Sequence, residues 1–263
     1  MFQDNNSRES GVSETIGFII ILGIVMTGIA MVALYGYPAL VQEQANANIK
    51  NMQKNMLVLQ SDLRSLTAKG VPYQETTIQV SGGTLTINQT PDPLWPVFTI
   101  NGIPGFSPIT HYPGELKFTS DDGAANIALE NGAVHIRYWS DMSGSAMLTT
   151  PGWFYDTTTK TYVIHLIQLD ASQSLGTSGI GTVRMQLVEP ATTTPYDITD
   201  GNVTISYQAN PAEDYMVAWK NYFENPDLQM RDPYQDQRNI TYRLDPAAKS
   251  LVVKKYNITI LSI

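Results

Sequence analysis

The chain has 263 residues, 43% of them apolar, enough for one good-sized folded domain beside a hydrophobic segment, or for two small domains. Its net charge of −8 argues against nucleic acid as a partner, because a polyanion is repelled and no Lys/Arg cluster concentrates enough charge to reverse that. With no cysteine, disulfides, cysteine-ligated zinc and thiol catalysis are all excluded.

Between Glu14 and Glu43 lie 28 residues without a charge, and from Ile16 to Leu40 they are overwhelmingly apolar. About 20 such residues in a helix cross a hydrocarbon core. A secretory signal core runs to only about 7–15 apolar residues before a small-residue cleavage site, so this segment is too long for ordinary removal. It also lacks the polar face that a core helix of a soluble protein shows. The expectation is a retained single-pass membrane helix with lipid as its partner. Its small residues, Gly17, Gly23, Thr27, Gly28, Ala30, Ala33 and Gly36, allow close helix–helix approach. Arg8 on one side and Lys50 and Lys54 on the other leave the positive-inside rule undecided. Orientation is read instead from the lysine-poor, threonine-rich remainder and its four sequons, at Asn88, Asn202, Asn239 and Asn257. These predict a C-terminal domain outside the cell and mark four candidate glycosylation sites.

Directly after the apolar run, Ala45, Ile49, Met52, Met56, Leu59, Leu63 and Leu66 alternate spacings of four and three, which is a heptad seam. No strong breaker separates Leu40 from Val41, so both segments are expected to form one rod of about 50 residues, roughly 75 Å long. Pro38, two residues after Gly36, is expected to kink or unwind it. The seam has two readings, packing on its own β domain or packing against other subunits. Lys69-Gly70-Val71-Pro72 ends the helix.

From Tyr73 the period changes to two. Candidate strands are 76–80 and 84–88 across a Ser-Gly-Gly turn, then 97–101, 115–119, 125–129, 133–139, 161–169, 182–188, 202–207, 239–244 and 251–262. Asn131-Gly132 is the best hairpin signal. The stretches 89–96 and 102–114 are read as long surface loops, and Asp121-Asp122-Gly123 and 232–236 as turns. One helix interrupts the pattern, with Asn210 as N-cap, Pro211 as first helical residue and Glu213 as capping partner. Tyr215, Ala218, Trp219, Tyr222 and Phe223 fall on one face of it, spaced to seat the helix on a sheet. The predicted class is therefore α+β: a long N-terminal transmembrane and amphipathic helix, then a mainly antiparallel β-sandwich with one short packed helix. Its parts are a leader at 1–11, the helix at 12–70 and the β domain at 71–263.

The segment "SGVSETIGFIIILGIVMTGIAMVAL" resembles the N-terminal region of archaeal type IV pilins and pilin-like proteins and, more distantly, of archaellins. The stretches "ELKFTSDDGAANIALENGAVHIRYW" and "VTISYQANPAEDYMVAWKNYFEN" resemble large pilin-like ectodomains of unknown function from haloarchaea and methanogens. The resemblance implies a prepilin peptidase as partner, cutting after Gly11 to leave Val12 as the first mature residue, with a cut after Ser10 as the alternative. It also implies that Glu14 pairs with the new amine of a neighbouring subunit during assembly. The residues themselves equally support Glu14 as an interfacial carboxylate at a helix N-terminus. The sequence departs from the family pattern in two ways. The leader has only Arg8 where many relatives carry a basic cluster, and Glu14 lies close to the proposed cut.

No catalytic or metal constellation emerges. His111, His135 and His165 are far apart and belong to no metal motif or triad pattern, the acidic stretches lack a calcium-loop ligand set, and no glycine-rich phosphate loop follows a strand. The sequence thus predicts no enzyme and no cofactor. Two functions remain. The first is a type IV pilin-like cell-surface subunit, anchored by its helix and assembled with itself or other pilin-like subunits into a filament. The second is a membrane-anchored, stalked binding module for a surface-layer glycan or protein.

Overall fold

The computed structural model describes residues 6–87, 96–139, 144–188, 191–199, 201–210 and 214–263, with side chains from Glu14 onward. The chain divides into two compact units, Met1–Asn48 and Ile49–Ile263. In the first, α1 (Asn6–Met31) leads into a π-helical turn, Val32–Gly36, and then into α2 (Tyr37–Lys69), whose remainder belongs to the second unit.

Fifteen strands follow among the described residues: β1 (Tyr73–Ile87), β2 (Val97–Asn101), β3 (Ile109–His111), β4 (Glu115–Ser120), β5 (Ala125–Glu130), β6 (Ala133–Tyr138), β7 (Ser145–Thr149), β8 (Phe154–Asp156), β9 (Thr161–Asp170), β10 (Leu175–Leu187), β11 (Thr192–Asp197), β12 (Thr204–Gln208), β13 (Arg231–Asp236), β14 (Asn239–Arg243) and β15 (Ser250–Ser262). Helix α3 (Met216–Phe223) precedes β13. The larger sheet has ten strands, β7-β6-β5-β4-β1-β10-β15-β9-β8 with β11 added on β15; the smaller has five, β13-β14-β12-β2-β3. The chain is thus α+β, as its two sequence periods predict.

Two cores hold this unit together. In the first, the heptad residues Ile49, Met52, Met56, Leu59, Leu63 and Leu66 are buried with Leu85, Phe118, Ile127, Val183, Met185 and Ile258 of the larger sheet. The seam therefore packs on its own β domain, the first of its two readings. The second core joins the larger sheet, through Tyr162, Ile164, Leu251 and Val253, to the smaller sheet and α3, through Phe98, Ile205, Tyr207, Trp219 and Phe223. Both cores share β5 and β6: Ile127, Leu129 and Val134 serve the first, Ala128 and Ala133 the second. That is why "ANIAL" and "AVHI" read as continuous apolar runs rather than alternating ones.

Asn131 and Gly132 make the β5–β6 turn with φ of 47° and 79°, the two left-handed residues that a tight hairpin needs. The other predicted hairpin is absent. Ser81-Gly82-Gly83 does not turn the chain; β1 runs straight through it and pairs with β10 on both sides, its register shifting between Val80 and Leu85. A bulge and a turn draw on the same glycine chemistry, and only the partner strand tells them apart. A Cβ on Gly83 would collide with the Thr119 carbonyl oxygen and the Phe118 ring. Gly83→Ala is therefore expected to destabilise the unit by about 2 kcal/mol or more, read as a lower urea midpoint at unchanged slope.

Other expectations fall to tertiary pairing. The loop read over 102–114 contains β3, and the turn read over 232–236 is part of β13, whose six residues are all exposed and held by β14. Strands β7, β8 and β11 have no counterpart among the strands the sequence predicts. One pair, β9 with β15, is parallel within an otherwise antiparallel sheet. Helix α3 starts later than predicted: its N-cap is Tyr215, and Asp214 Oδ1 accepts from the Met216 N–H at 2.8 Å. Asn210 is not the cap, and Pro211 and Glu213 lie outside the described residues.

Candidate functional site

The feature that stands apart is the apolar helix of the first unit. An 18-residue window within it has mean hydropathy 2.6 and is 0% buried by protein, so this helix is long and apolar enough to cross a membrane. Ile16, Phe18, Ile19, Ile21, Ile24 and Met26 are exposed. The single hydroxyl of Thr27 donates back to the Gly23 carbonyl at 2.7 Å, which leaves no polar group unsatisfied at that point.

Near Pro38 the helix widens rather than breaks. Proline offers no N–H to the carbonyl four residues back and its ring crowds that carbonyl, so the ladder slips by one: the Tyr37 N–H donates to Val32 O, five residues earlier. Val25, Gly28, Ile29, Val32, Ala33 and Tyr37 line an apolar groove of about 670 Å³ on this face. A Cβ added at Gly17, Gly23 or Gly28 would meet nothing, so the small residues predicted to admit a close neighbour leave open space.

The predicted processing residues Gly11 and Val12 have helical backbone within α1, and Glu14 is exposed. Of the sequons, Asn202 is exposed in the loop before β12, and Asn257 is exposed on β15 between buried Tyr256 and Ile258. Asn239 differs: it is half-buried on β14, its Oδ1 lacks a hydrogen-bond partner among the described residues, and Thr241 Oγ1 shares a 2.8 Å hydrogen bond with Ser206 Oγ. Asn88 lies outside the described residues.

The histidines belong to the packing. β9 extends past β8, and this edge is closed by side chains and, at its far end, by the Leu169 N–H donating to the Pro113 carbonyl at 2.7 Å. Trp153 Nε1 donates to His165 O at 2.6 Å, Asn131 Oδ1 accepts from Ile167 N at 2.7 Å, and His111 Nε2 lies 3.3 Å from Ile167 O. His135 is fully buried, stacked on Tyr215 with ring centroids 5.3 Å apart and 5.2 Å from Trp219. Burial holds the His111 pKa at about 4 and the His135 pKa at about 3, so both are neutral near pH 7. Burial likewise lowers His165 to about 4.

Helix α3 is fixed by polar contacts inside the aromatic core, which no sequence pattern announces. Trp219 Nε1 donates to the fully buried Glu130 at 2.8 Å, Ala218 N to Ser145 Oγ at 3.1 Å, and Tyr222 OH to Trp153 O at 3.2 Å. The apolar signal of "ANIALE" hid Glu130, since nothing in that segment says its last residue turns inward. Trp219→Phe removes the indole donor and leaves a buried carboxyl oxygen short of one bond. The expected cost is about 2–3 kcal/mol of unfolding free energy, measured by urea titration followed by near-UV circular dichroism.

Within the second unit, Leu66, Thr67, Gly70, Pro72, Leu187, Val188, Ala191 and Tyr256 line a half-open, largely apolar cavity of about 360 Å³. The hydroxyl-bearing side chains in its walls are Thr67 and Tyr256, and Thr67 Oγ1 is engaged with the Leu63 carbonyl of its own helix. Among the described residues no three His, Asp or Glu side chains converge to hold a metal ion. No curated protein and no solved structure matches the chain. A family model matches residues 10–260, from the apolar helix to the final strand, and by it the chain belongs to the family of unknown function DUF7289.

Proposed function

We propose that the chain is a non-enzymatic cell-surface structural protein, a type IV pilin-like subunit. Its apolar helix anchors it in the membrane, its β-rich unit stands outside, and after processing it assembles into a surface filament. One observation carries this reading: the apolar half of the helical region is entirely uncovered by its own chain, whereas the amphipathic half is consumed by its own sheet. The uncovered half needs lipid or neighbouring helices, and a single chain supplies neither.

The test is the mature N-terminus. Intact-mass and N-terminal analysis of the membrane-extracted chain are expected to give Val12 as the first residue, and sheared surface filaments to contain the chain. A full-length chain found dissolved in the cytosol would overturn the reading. On the exported domain, glycopeptide mapping is expected to find glycans at Asn202 and Asn257 but not at half-buried Asn239.

The second reading, a membrane-anchored module that binds a glycan, draws on one exposed platform. Tyr138 and Trp139 are each more than 40% exposed, and the Arg137 guanidinium lies 4.2 Å from the Trp139 ring centroid, held by its bond to Asp214 O. An uncut chain released only by detergent, with glycan affinity lost in Trp139→Ala, favours this module over the filament subunit.

A further inference from the structure

The outward face of α2 within the second unit carries a charge pattern that its fold does not use. Opposite the buried heptad stripe, Lys50, Lys54, Leu57, Val58, Arg64 and Lys69 are exposed at helical spacing. Residues 49–70 hold four cations and a single carboxylate, Asp62, which accepts from Thr76 Oγ1. Residues 71–263 hold eleven Lys and Arg against nineteen Asp and Glu. One helix face is thus three charges positive on a unit whose remainder is eight negative.

A charged helix face is ordinarily just solvated. Two observations go further. Among the described residues Lys50, Lys54 and Lys69 enter no ion pair, although acid is abundant on the same unit, and Arg64 spends its Nη2 on the Thr150 carbonyl at 3.0 Å. In the middle of the cations sit two apolar side chains, Leu57 at 36% and Val58 at 49% exposure, where an ordinary solvated face would be polar.

We propose that this face docks against the acidic β surface of a second copy of the chain. A second copy is favoured because its residues 71–263 bring the complementary charge, a surplus of eight carboxylates over cations, in equal number of copies with the cationic face. The contact joins two different faces, so it is head-to-tail and leaves each copy able to engage one more, as a filament requires; the inference rests on the subunit reading above. Exposed ion pairs are individually weak because water screens them, so this contact is weak between free chains. It becomes effective when anchoring raises the local concentration toward the millimolar range.

The experiment uses the full chain in vesicles of zwitterionic phosphatidylcholine, which offers no net negative lipid, with isotopically light and heavy copies mixed. A zero-length carbodiimide cross-linker joins amines to carboxylates in contact, and mass spectrometry separates mixed-isotope links between copies from links within one. The expected result is mixed-isotope links from Lys50 and Lys54 to carboxylates in 71–263. The double reversal Lys50→Glu with Lys54→Glu is expected to cut the mixed links from Lys69 at least about fivefold. Raising salt from about 0.05 to about 0.5 M is expected to act in the same direction. Both lysines are exposed, so an unchanged circular dichroism spectrum is required of the variant. Links confined to one isotope, or mixed links indifferent to the reversal, overturn the proposal. So does salt-sensitive binding of a soluble anionic polysaccharide that depends on Lys50 and Lys54 while mixed links are missing, since that assigns the face to a polyanion. The mature N-terminus, read from the same sample, reports separately on the subunit reading.

Discussion

Leu63→Asp is expected to abolish the folded β-rich unit, and Leu63→Ala to cost about 2–5 kcal/mol. Leu63 is 0% exposed in the core that α2 shares with the larger sheet, with Leu59 and Leu66 equally enclosed one turn to either side. An aspartate there would have no cationic partner on the buried stripe, and it combines the lost apolar packing of Leu63 with a buried carboxyl that has no partner, a sum comparable to the whole stability of a marginally stable domain. The measurement is urea unfolding of the full chain in detergent micelles, followed by near-UV circular dichroism. The effect separates this half of the helical region from the other. Leu22→Ala, in the exposed apolar run, is expected to leave the same transition within about 0.5 kcal/mol, because it touches neither core. If Leu63→Ala shifts the midpoint no more than Leu22→Ala does, the seam does not pack on this sheet.

Acidification is expected to destabilise the same unit between pH 6.5 and about 3, with the enclosed His135 and His111 as the largest causes and the half-buried His165 adding less. Each of the first two has an unperturbed pKa of 6.5 and is held down by burial, to about 3 and about 4 respectively. Between the two limits the unfolded chain binds a proton that the folded chain does not, so stability rises with pH through that window and is fully present above 6.5. At pH 4.5 both folded histidines remain neutral while their unfolded counterparts are charged. Two pH units at about 1.4 kcal/mol per unit give a loss of roughly 2–3 kcal/mol for each. His135→Leu is therefore expected to shrink the stability difference between pH 7.5 and 4.5 by about that amount, whatever it does to stability at pH 7.5. An unaltered pH dependence in His135→Leu would mean that the ring reaches water in the folded protein. Replacing Tyr215, whose ring stacks on it, by alanine is expected to narrow the pH window by admitting solvent.

The elements that were legible in the sequence are those whose signal repeats. Ile49, Met52, Met56, Leu59, Leu63 and Leu66 announce a helix with one buried face because their spacing is read many times over, and the structure buries all six. β9 and β15 alternate over ten or more residues and were found nearly to their ends. β8 and β3 have three residues each, and β13 is exposed throughout, so none carries a pattern of its own. They are strands because a neighbour supplies their hydrogen bonds. Ser81-Gly82-Gly83 departs from its sequence signal for a related reason: a left-handed Gly82 serves a turn or a bulge equally well, and β10 lying alongside decides for the bulge.

The same division runs through the candidate sites. Residues 15–42 declare a membrane-length helix by composition alone, since lacking charge over 28 positions is a property of the chain and needs no fold to express it. What the fold decided is which surfaces stay open. It spent the heptad stripe on its own sheet, left the cationic face of α2 outside, closed the edge of β9 with His111, Asn131 and Trp153, and set Glu130 beneath Trp219. Periodicity and charge are local quantities, written in neighbouring residues. Burial depends on which distant segment arrives to cover a side chain, as Trp219 covers Glu130 from 89 residues away, and that is settled only when the whole unit packs.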